Sequence, residues 1–150
     1  MTLLPAGVRR EPAWYSDKAV FITGCDSGLG FSLATACHEA GLVVVAACHS
    51  HHSTLGSQHL QTIGALTGRL VVITHFDVTD PECVVSAGAR VAEVLSQTRT
   101  RLWAVVNNAA VLVLANFEWQ TSHLIERQIK VLSSSCSTGD DSASVMSDSG

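Results

Sequence analysis

Charge is scarce in this sequence, and what there is does not cluster. Only 15% of the 150 residues are charged, the net charge is −4, and no basic run is longer than Arg9-Arg10. Such a chain projects no general positive field, which argues against nucleic acid as a partner. No apolar run approaches the roughly 20 residues that span a bilayer, so no transmembrane segment is predicted. At the amino end, Met1 to Val8 is broken by Pro5 and the charges of Arg9-Arg10 come after it, the reverse of a secretory signal. Glu11 and Pro12 follow without an amphipathic helix. A cytoplasmic location is expected, with mitochondrial or membrane-associated ones as alternatives.

Paired cysteines are also missing. The five, at 25, 37, 48, 83 and 136, are odd in number and contain no C-x-x-C pair. This speaks against a disulfide framework and for a reducing compartment. Cys25 lies where a helix N-terminus could lower its pKa, but a small space-filling thiol is the favoured reading. Residues 42 to 76 hold no Asp or Glu, and the whole chain has one tyrosine, Tyr15, and two lysines, Lys18 and Lys130.

What is present is apolar and punctuated by glycine. Hydrophobic residues make up 47% of the chain, which suits a single domain with a sheet buried on both faces. One stretch organises the rest: Phe21-Ile22-Thr23-Gly24-Cys25-Asp26-Ser27-Gly28-Leu29-Gly30. An apolar run leads into it and a helix-like segment, Phe31 to Ala40, leads out. Its glycines allow a tight turn and a close approach to a ligand. A helix starting near Gly28 would offer free N–H groups and a positive dipole end to a pyrophosphate. The spacing is G-x-x-x-G-x-G, not the G-x-G-x-x-G of ordinary dinucleotide folds.

Residues 1–17 read as an irregular lead-in, with Trp14 and Tyr15 packing on the domain edge. Lys18 to Thr23 and Leu42 to Cys48 read as buried strands, and Leu70 to Phe76 and Leu102 to Val106 as a third and a fourth strand, the fourth an exposed edge. Leu29 to Ala40 carries a helical apolar stripe ended by Gly41. His49 to Gly68 is polar, then weakly helical. A helix to about Gln97 begins either with a Thr79/Glu82 capping box or with Asp80 as N-cap and Pro81 at N1. Another runs from about Thr121 to Val131. Alternating strands and helices predict an α/β fold with a parallel sheet of order 3-2-1-4 and a ligand at the carboxyl ends of its strands. From Ser133 to Gly150 there are eight serines, three aspartates and no aromatic, the composition of a disordered tail. The cluster His49-Ser50-His51-His52, with His59, lacks a fixed acidic or cysteine partner and reads as a solvated loop rather than a metal site.

Two further pieces join the glycine loop. Asp77-Val78 ends the third strand, where the carboxylate could meet an adenine amino group or cap the next helix. Asn107-Asn108-Ala109-Ala110 ends the fourth, where Asn side chains can tie loops together. Thr23-Gly24-x-x-x-Gly28-x-Gly30, Asp77-Val78 and Asn107-Asn108-Ala109 together resemble the short-chain dehydrogenase/reductase family, over about residues 18 to 131. The glycine-loop sequence and Asn116-Phe117-Glu118-Trp119-Gln120-Thr121 look like its branch of 3-hydroxybutyrate, 17β-hydroxysteroid and retinol dehydrogenases. The resemblance implies a partial Rossmann fold, an alcohol/ketone oxidoreductase function and a nicotinamide dinucleotide. NAD is preferred to NADP because Asp26 in the loop would repel a 2′-phosphate and Arg69 is the only Lys or Arg from 42 to 76. The resemblance further implies that Thr23, Gly24, Ser27, Gly28, Leu29 and Gly30 hold the pyrophosphate, that Asp77 and Val78 meet adenine, and that Asn107, Asn108 and Ala109 border the adenosine ribose.

The departures are as informative. Ala110 stands where the family commonly has Gly, and about Leu132 the resemblance stops. The family's catalytic Ser and Tyr-x-x-x-Lys have no counterpart, since the residue four after Tyr15 is Ala19. The expectation is therefore a dinucleotide-binding half-domain, residues 18–132, of a truncated dehydrogenase without turnover of its own. The alternative is an interaction or regulatory fragment, or an unstable isoform. Such a fragment would pair with a full-length relative through an exposed sheet edge and an apolar stripe of Leu124, Ile125, Gln128, Ile129 and Leu132.

Overall fold

The structure, a computed structural model, describes residues 12–49 and 54–147. A parallel sheet of four strands, β1 (Lys18–Thr23), β2 (Val43–Ala47), β3 (Leu70–Ile73) and β4 (Arg101–Val106), has the order β3-β2-β1-β4. Helices α1 (Gly28–Glu39), α2 (Leu55–Thr67) and α3 (Pro81–Thr98) connect successive strands, and α4 (Ser122–Ser147) follows β4. This is the α/β arrangement that the alternating pattern predicts, in the predicted strand order.

Every residue of β1 and β2 is buried, as the unbroken apolar runs require of strands covered on both faces. Alternation divides their side chains. Ala19, Phe21, Val43 and Val45 meet α3 residues Val91 and Val94, while Val20, Ile22, Val44 and Ala46 meet Ala34 of α1 and Leu60 of α2. Lys18 is buried too, and its ammonium is accommodated locally: it donates to Trp14 O, pairs with Asp17 at 2.9 Å and lies 3.9 Å from the Trp14 ring centroid. Trp14, Tyr15 and Trp103 make edge-to-face contacts at the amino end of the sheet. β4 pairs with β1 alone and none of its residues is fully buried, so it forms an edge.

Helix boundaries follow local chemistry. At the end of α1, Gly41 N–H donates to His38 O and Leu42 N–H to Cys37 O, a Schellman closure that needs the φ of +95° found at Gly41. α3 opens with Asp80 as N-cap, its side chain accepting from Glu82 N–H, and with Pro81 at N1, so the capping-box alternative does not form. β3 ends at Ile73 instead of reaching Phe76, because His75 takes a left-handed φ of +62° and turns the chain out of the sheet. α4 continues past Val131, where the sequence places its end, and runs on through the serine-rich stretch to Ser147. Ser133 Oγ donates back to Lys130 O at 3.1 Å, one way a serine is accommodated within a helix.

Candidate functional site

The carboxyl ends of the strands converge on the glycine loop, and the loop is locked by its neighbours. Gly24 turns with a φ of +71°, and a Cβ there would lie 2.8 Å from Ala109 Cα. Asn108 Nδ2 donates to Thr23 O and Gly24 O at 3.0 and 3.1 Å. The N–H groups of Asn108 and Ala109 both donate to Thr23 Oγ1 at 3.0 Å. Thr23 and Asn108 thus tie the ends of β1 and β4 together, the loop-tying role that the sequence suggests for Asn. Gly30 serves close approach: a Cβ would sit 2.3 Å from Gly24 O and 2.5 Å from Asn108 Nδ2, so only glycine lets α1 start against the loop.

The beginning of α1 is left open. Ser27 is its N-cap by backbone position, but its side chain makes no capping hydrogen bond. Nothing lies within 4 Å of where a Gly28 Cβ would stand, and Leu29 is 75% exposed. The first-turn N–H groups of a helix have no intrahelical partners, so an uncapped start offers them to water or to an anion.

Beside this helix end lies a cleft of about 600 Å³. Gly24, Asp26, Ser27 and His49 form one wall, Phe76 to Thr79 a second, and Asn108 to Val111 a third. A fourth wall comes from α4, through His123, Glu126, Arg127, Lys130 and Val131. Of the residues expected to form the site, Gly24, Ser27, Asp77, Val78, Asn108 and Ala109 line the cleft. Thr23 is fully buried and acts on it only through its hydrogen bonds, and Gly30 positions the helix. Asn107 is exposed and, like Gly28 and Leu29, is not part of the lining.

Asp77 is only half-buried. Desolvation pushes its carboxyl up, but hydrogen bonds from Thr79 N–H and Thr79 Oγ1–H, both 2.8 Å, together with the charges of His49 and Lys130, hold it below the usual value. Those bonds make a turn ahead of α3, while the cap itself is Asp80. Cys25 is no nucleophile: burial, then the neighbouring Cys48 and Asp26, push its thiol up to about 12, and Sγ bonds to Ile22 O at 3.3 Å. His59 packs on Phe31, while Ser50, His51 and His52 lie outside the described residues. Among the described residues no group of three His, Cys, Asp or Glu side chains could hold a metal.

The α4 wall and the bond that holds Asp26 against His49 are the parts of the site that sequence reasoning missed. The α4 wall belongs to no motif. His123, Arg127 and Lys130 fall at helical spacing, which is the one signal that could have grouped them.

A family model described as short chain dehydrogenase matches residues 18–139. The chain belongs to the short-chain dehydrogenase family. Mouse retinol dehydrogenase 7 is 40% identical over 111 residues, which are 74% of this chain and 33% of that protein. Human 17-beta-hydroxysteroid dehydrogenase type 6 is 38% identical over 124 residues, 82% of this chain and 37% of its own length. The chain therefore spans about a third of these curated relatives. A short-chain dehydrogenase from Burkholderia cenocepacia J2315, solved in complex with NADP, superposes with a TM-score of 0.72 at 23% identity, over 88% of this chain and 51% of that one. That likeness concerns the fold. No helix among the described residues is long and apolar enough to cross a membrane.

Proposed function

We propose that residues 18–132 bind a nicotinamide dinucleotide for alcohol/ketone oxidoreduction, and that the 150 residues alone bind it without turning over substrate. The observation that carries the binding is the uncapped start of α1, with open space at Gly28, beside a cleft of about 600 Å³. The pyrophosphate lies against the first turn of α1, adenine against Asp77 and Val78, and the adenosine ribose beside Asn107 to Ala109. NAD is favoured over NADP because the carboxylate of Asp26 lines this cleft. The relatives' names point to a retinoid, steroid or other lipid-like alcohol as substrate class. What these 150 residues lack is the Tyr-x-x-x-Lys pair that the resemblance calls for. Tyr15, their one tyrosine, packs on Trp14 and Trp103 at the amino end of β1, roughly 20 Å along the strand from the cleft.

Calorimetry with NADH tests the binding: a micromolar to sub-millimolar Kd is expected, weakened about tenfold or more by Gly28→Val. Absence of binding at millimolar ligand would reject the reading. Retinol, steroid and hydroxybutyrate should all fail to drive NAD reduction above the Gly28→Val control.

A second reading is favoured by the sheet edge. β4 pairs on one side only, Trp103 is 51% exposed, and Ile129 and Leu132 of α4 are exposed as well. Such an edge is a template for association with a full-length relative. Sedimentation of the chain with and without such a relative checks this, and a purely monomeric species would count against it.

A further inference from the structure

We infer that Asp26 is the residue that selects between NAD and NADP in this chain, its carboxylate accepting a hydroxyl of the adenosine ribose and repelling a 2′-phosphate. The inference rests on the dinucleotide reading above and assigns its specificity to one side chain.

β2 lies between β1 and β3 in the sheet. With the pyrophosphate at the end of β1 and adenine at the end of β3, the joining sugar passes over the carboxyl end of β2. Ordinary dinucleotide folds place an Asp or Glu there to read the 2′-hydroxyl. Here β2 ends in Ala47-Cys48-His49, with no acidic residue from 42 to 76. The structure brings a carboxylate to that place by another route. Asp26, on the loop after β1, reaches across so that its Oδ2 accepts from His49 N–H at 2.8 Å. Its backbone oxygen accepts from Thr54 Oγ1 at 3.1 Å, and Gly56 has no Cβ because one would lie 2.3 Å from the same oxygen. The loop is thus pinned to β2 and to α2, and both Asp26 and His49 line the cleft.

The charges nearby point the same way. Arg69, the only Lys or Arg between 42 and 76, donates to Ser16 O and Gly41 O at 3.0 and 2.8 Å, at the amino end of the sheet and away from the sugar. Arg127 and Lys130 enter the cleft from α4, and it is Asp77 whose carboxyl the Lys130 charge influences. Asp26 also contributes, after burial, to raising the Cys48 thiol, so its charge acts across a weakly screened interior.

The test is a fluorescence titration of the purified chain with NADH and NADPH. The unaltered chain should bind NADH about tenfold or more tightly than NADPH. Asp26→Asn keeps an oxygen for His49 N–H and removes the charge. It should close most of the gap from both sides, gaining NADPH affinity as the repulsion goes and losing about tenfold in NADH affinity as the charge-assisted bond to the ribose hydroxyl goes. Raising salt on the unaltered chain should narrow the NADPH/NADH gap, because the repulsion is screened. This arm needs no variant to fold. Binding of both cofactors with an unchanged ratio in Asp26→Asn, a ratio indifferent to salt, or a preference for NADPH would overturn the inference and leave the dinucleotide reading standing. Failure to bind either cofactor would overturn that reading and the inference with it.

Discussion

Three helices, α1, α2 and α3, each begin just after a strand at the same edge of the sheet, and their first turns are treated differently. α2 is capped by Thr54, whose Oγ1 accepts from Ser57 N–H at 3.1 Å. α3 is capped by Asp80, accepting from Glu82 N–H at 3.0 Å, with Pro81 removing one donor that would have had no partner. α1 has a serine in the same place, in extended conformation, and makes no such bond. A side-chain cap contributes about 1 kcal/mol to a helix. Two helix starts are therefore built for stability, while the third leaves its donors and its dipole available beside a cleft. Close packing requires glycine at 30, whereas glycine at 28 leaves open space beside the helix start.

Gly30→Val should break the comparison most severely. Its Cβ would fall 2.3 Å from backbone at Gly24, which cannot yield as a flexible side chain can. Overpacking of this kind costs about 3 kcal/mol or more, so loss of cooperative unfolding is expected in a thermal melt followed by circular dichroism. Gly28→Val meets nothing within 4 Å, and its cost is only that of a β-branched residue at a φ of +59°, about 1–2 kcal/mol. The folded state should survive this change. If the two variants melted alike, the distinction between a packing glycine and an open one would fail.

Next in size are the caps themselves. Asp80→Ala should lower stability by about 1 kcal/mol in urea unfolding, with m unchanged. Asp80 does not line the cleft, so NADH affinity should hold within about twofold. Thr54→Ala should cost at least as much, since it also removes the bond to Asp26 O that pins the loop.

How much of this was legible before the structure depends on whether the cause is local. Gly24, Gly28 and Gly30 declare themselves because backbone turns and close approaches admit little else. β1 and β2 declare themselves because an unbroken apolar run has few other uses in a soluble fold. Strand order follows from handed crossovers, so β3-β2-β1-β4 could be stated in advance. What was hidden is long-range or conformational. The bond from His49 N–H to Asp26 joins residues 23 apart and has no sequence signature. The α4 wall exists only once that helix lies across from Phe76 to Thr79. His75 shortened β3 through one left-handed φ that nothing in Thr74-His75-Phe76 announces. Composition also gave no warning that α4 continues through its serines to Ser147.

A smaller effect concerns pH. Asp77 has a carboxyl held below its usual value of 3.8, with Thr79 and nearby positive charge outweighing desolvation. A depressed folded pKa contributes stability above the unfolded pKa, and that contribution is lost as pH falls through the folded one. Melting temperature should therefore decline as pH is lowered from about 5 toward 3, partly through Asp77. Asp77→Asn retains an acceptor for Thr79 and should make that decline shallower without removing it. An identical decline in the variant would mean that other carboxylates carry the whole effect.

The smallest change in stability is also the sharpest use of the comparison. Ser27→Ala removes a residue type that at a helix N-cap ordinarily costs about 1 kcal/mol to lose. At α1 there is no capping bond to lose, because the Ser27 side chain makes none. Its extended backbone is open to alanine without strain. Urea unfolding of Ser27→Ala should therefore match the unaltered chain within about 0.5 kcal/mol, in contrast to Asp80→Ala. Binding should behave oppositely. Ser27 lines the cleft, and a hydroxyl beside the first turn of α1 would donate to a pyrophosphate oxygen. NADH affinity should accordingly fall about five- to tenfold, the loss of one hydrogen bond to a charged group. A loss of stability equal to that of Asp80→Ala would show that Ser27 does cap α1 in solution, and the difference between the three helix starts would then carry no functional meaning.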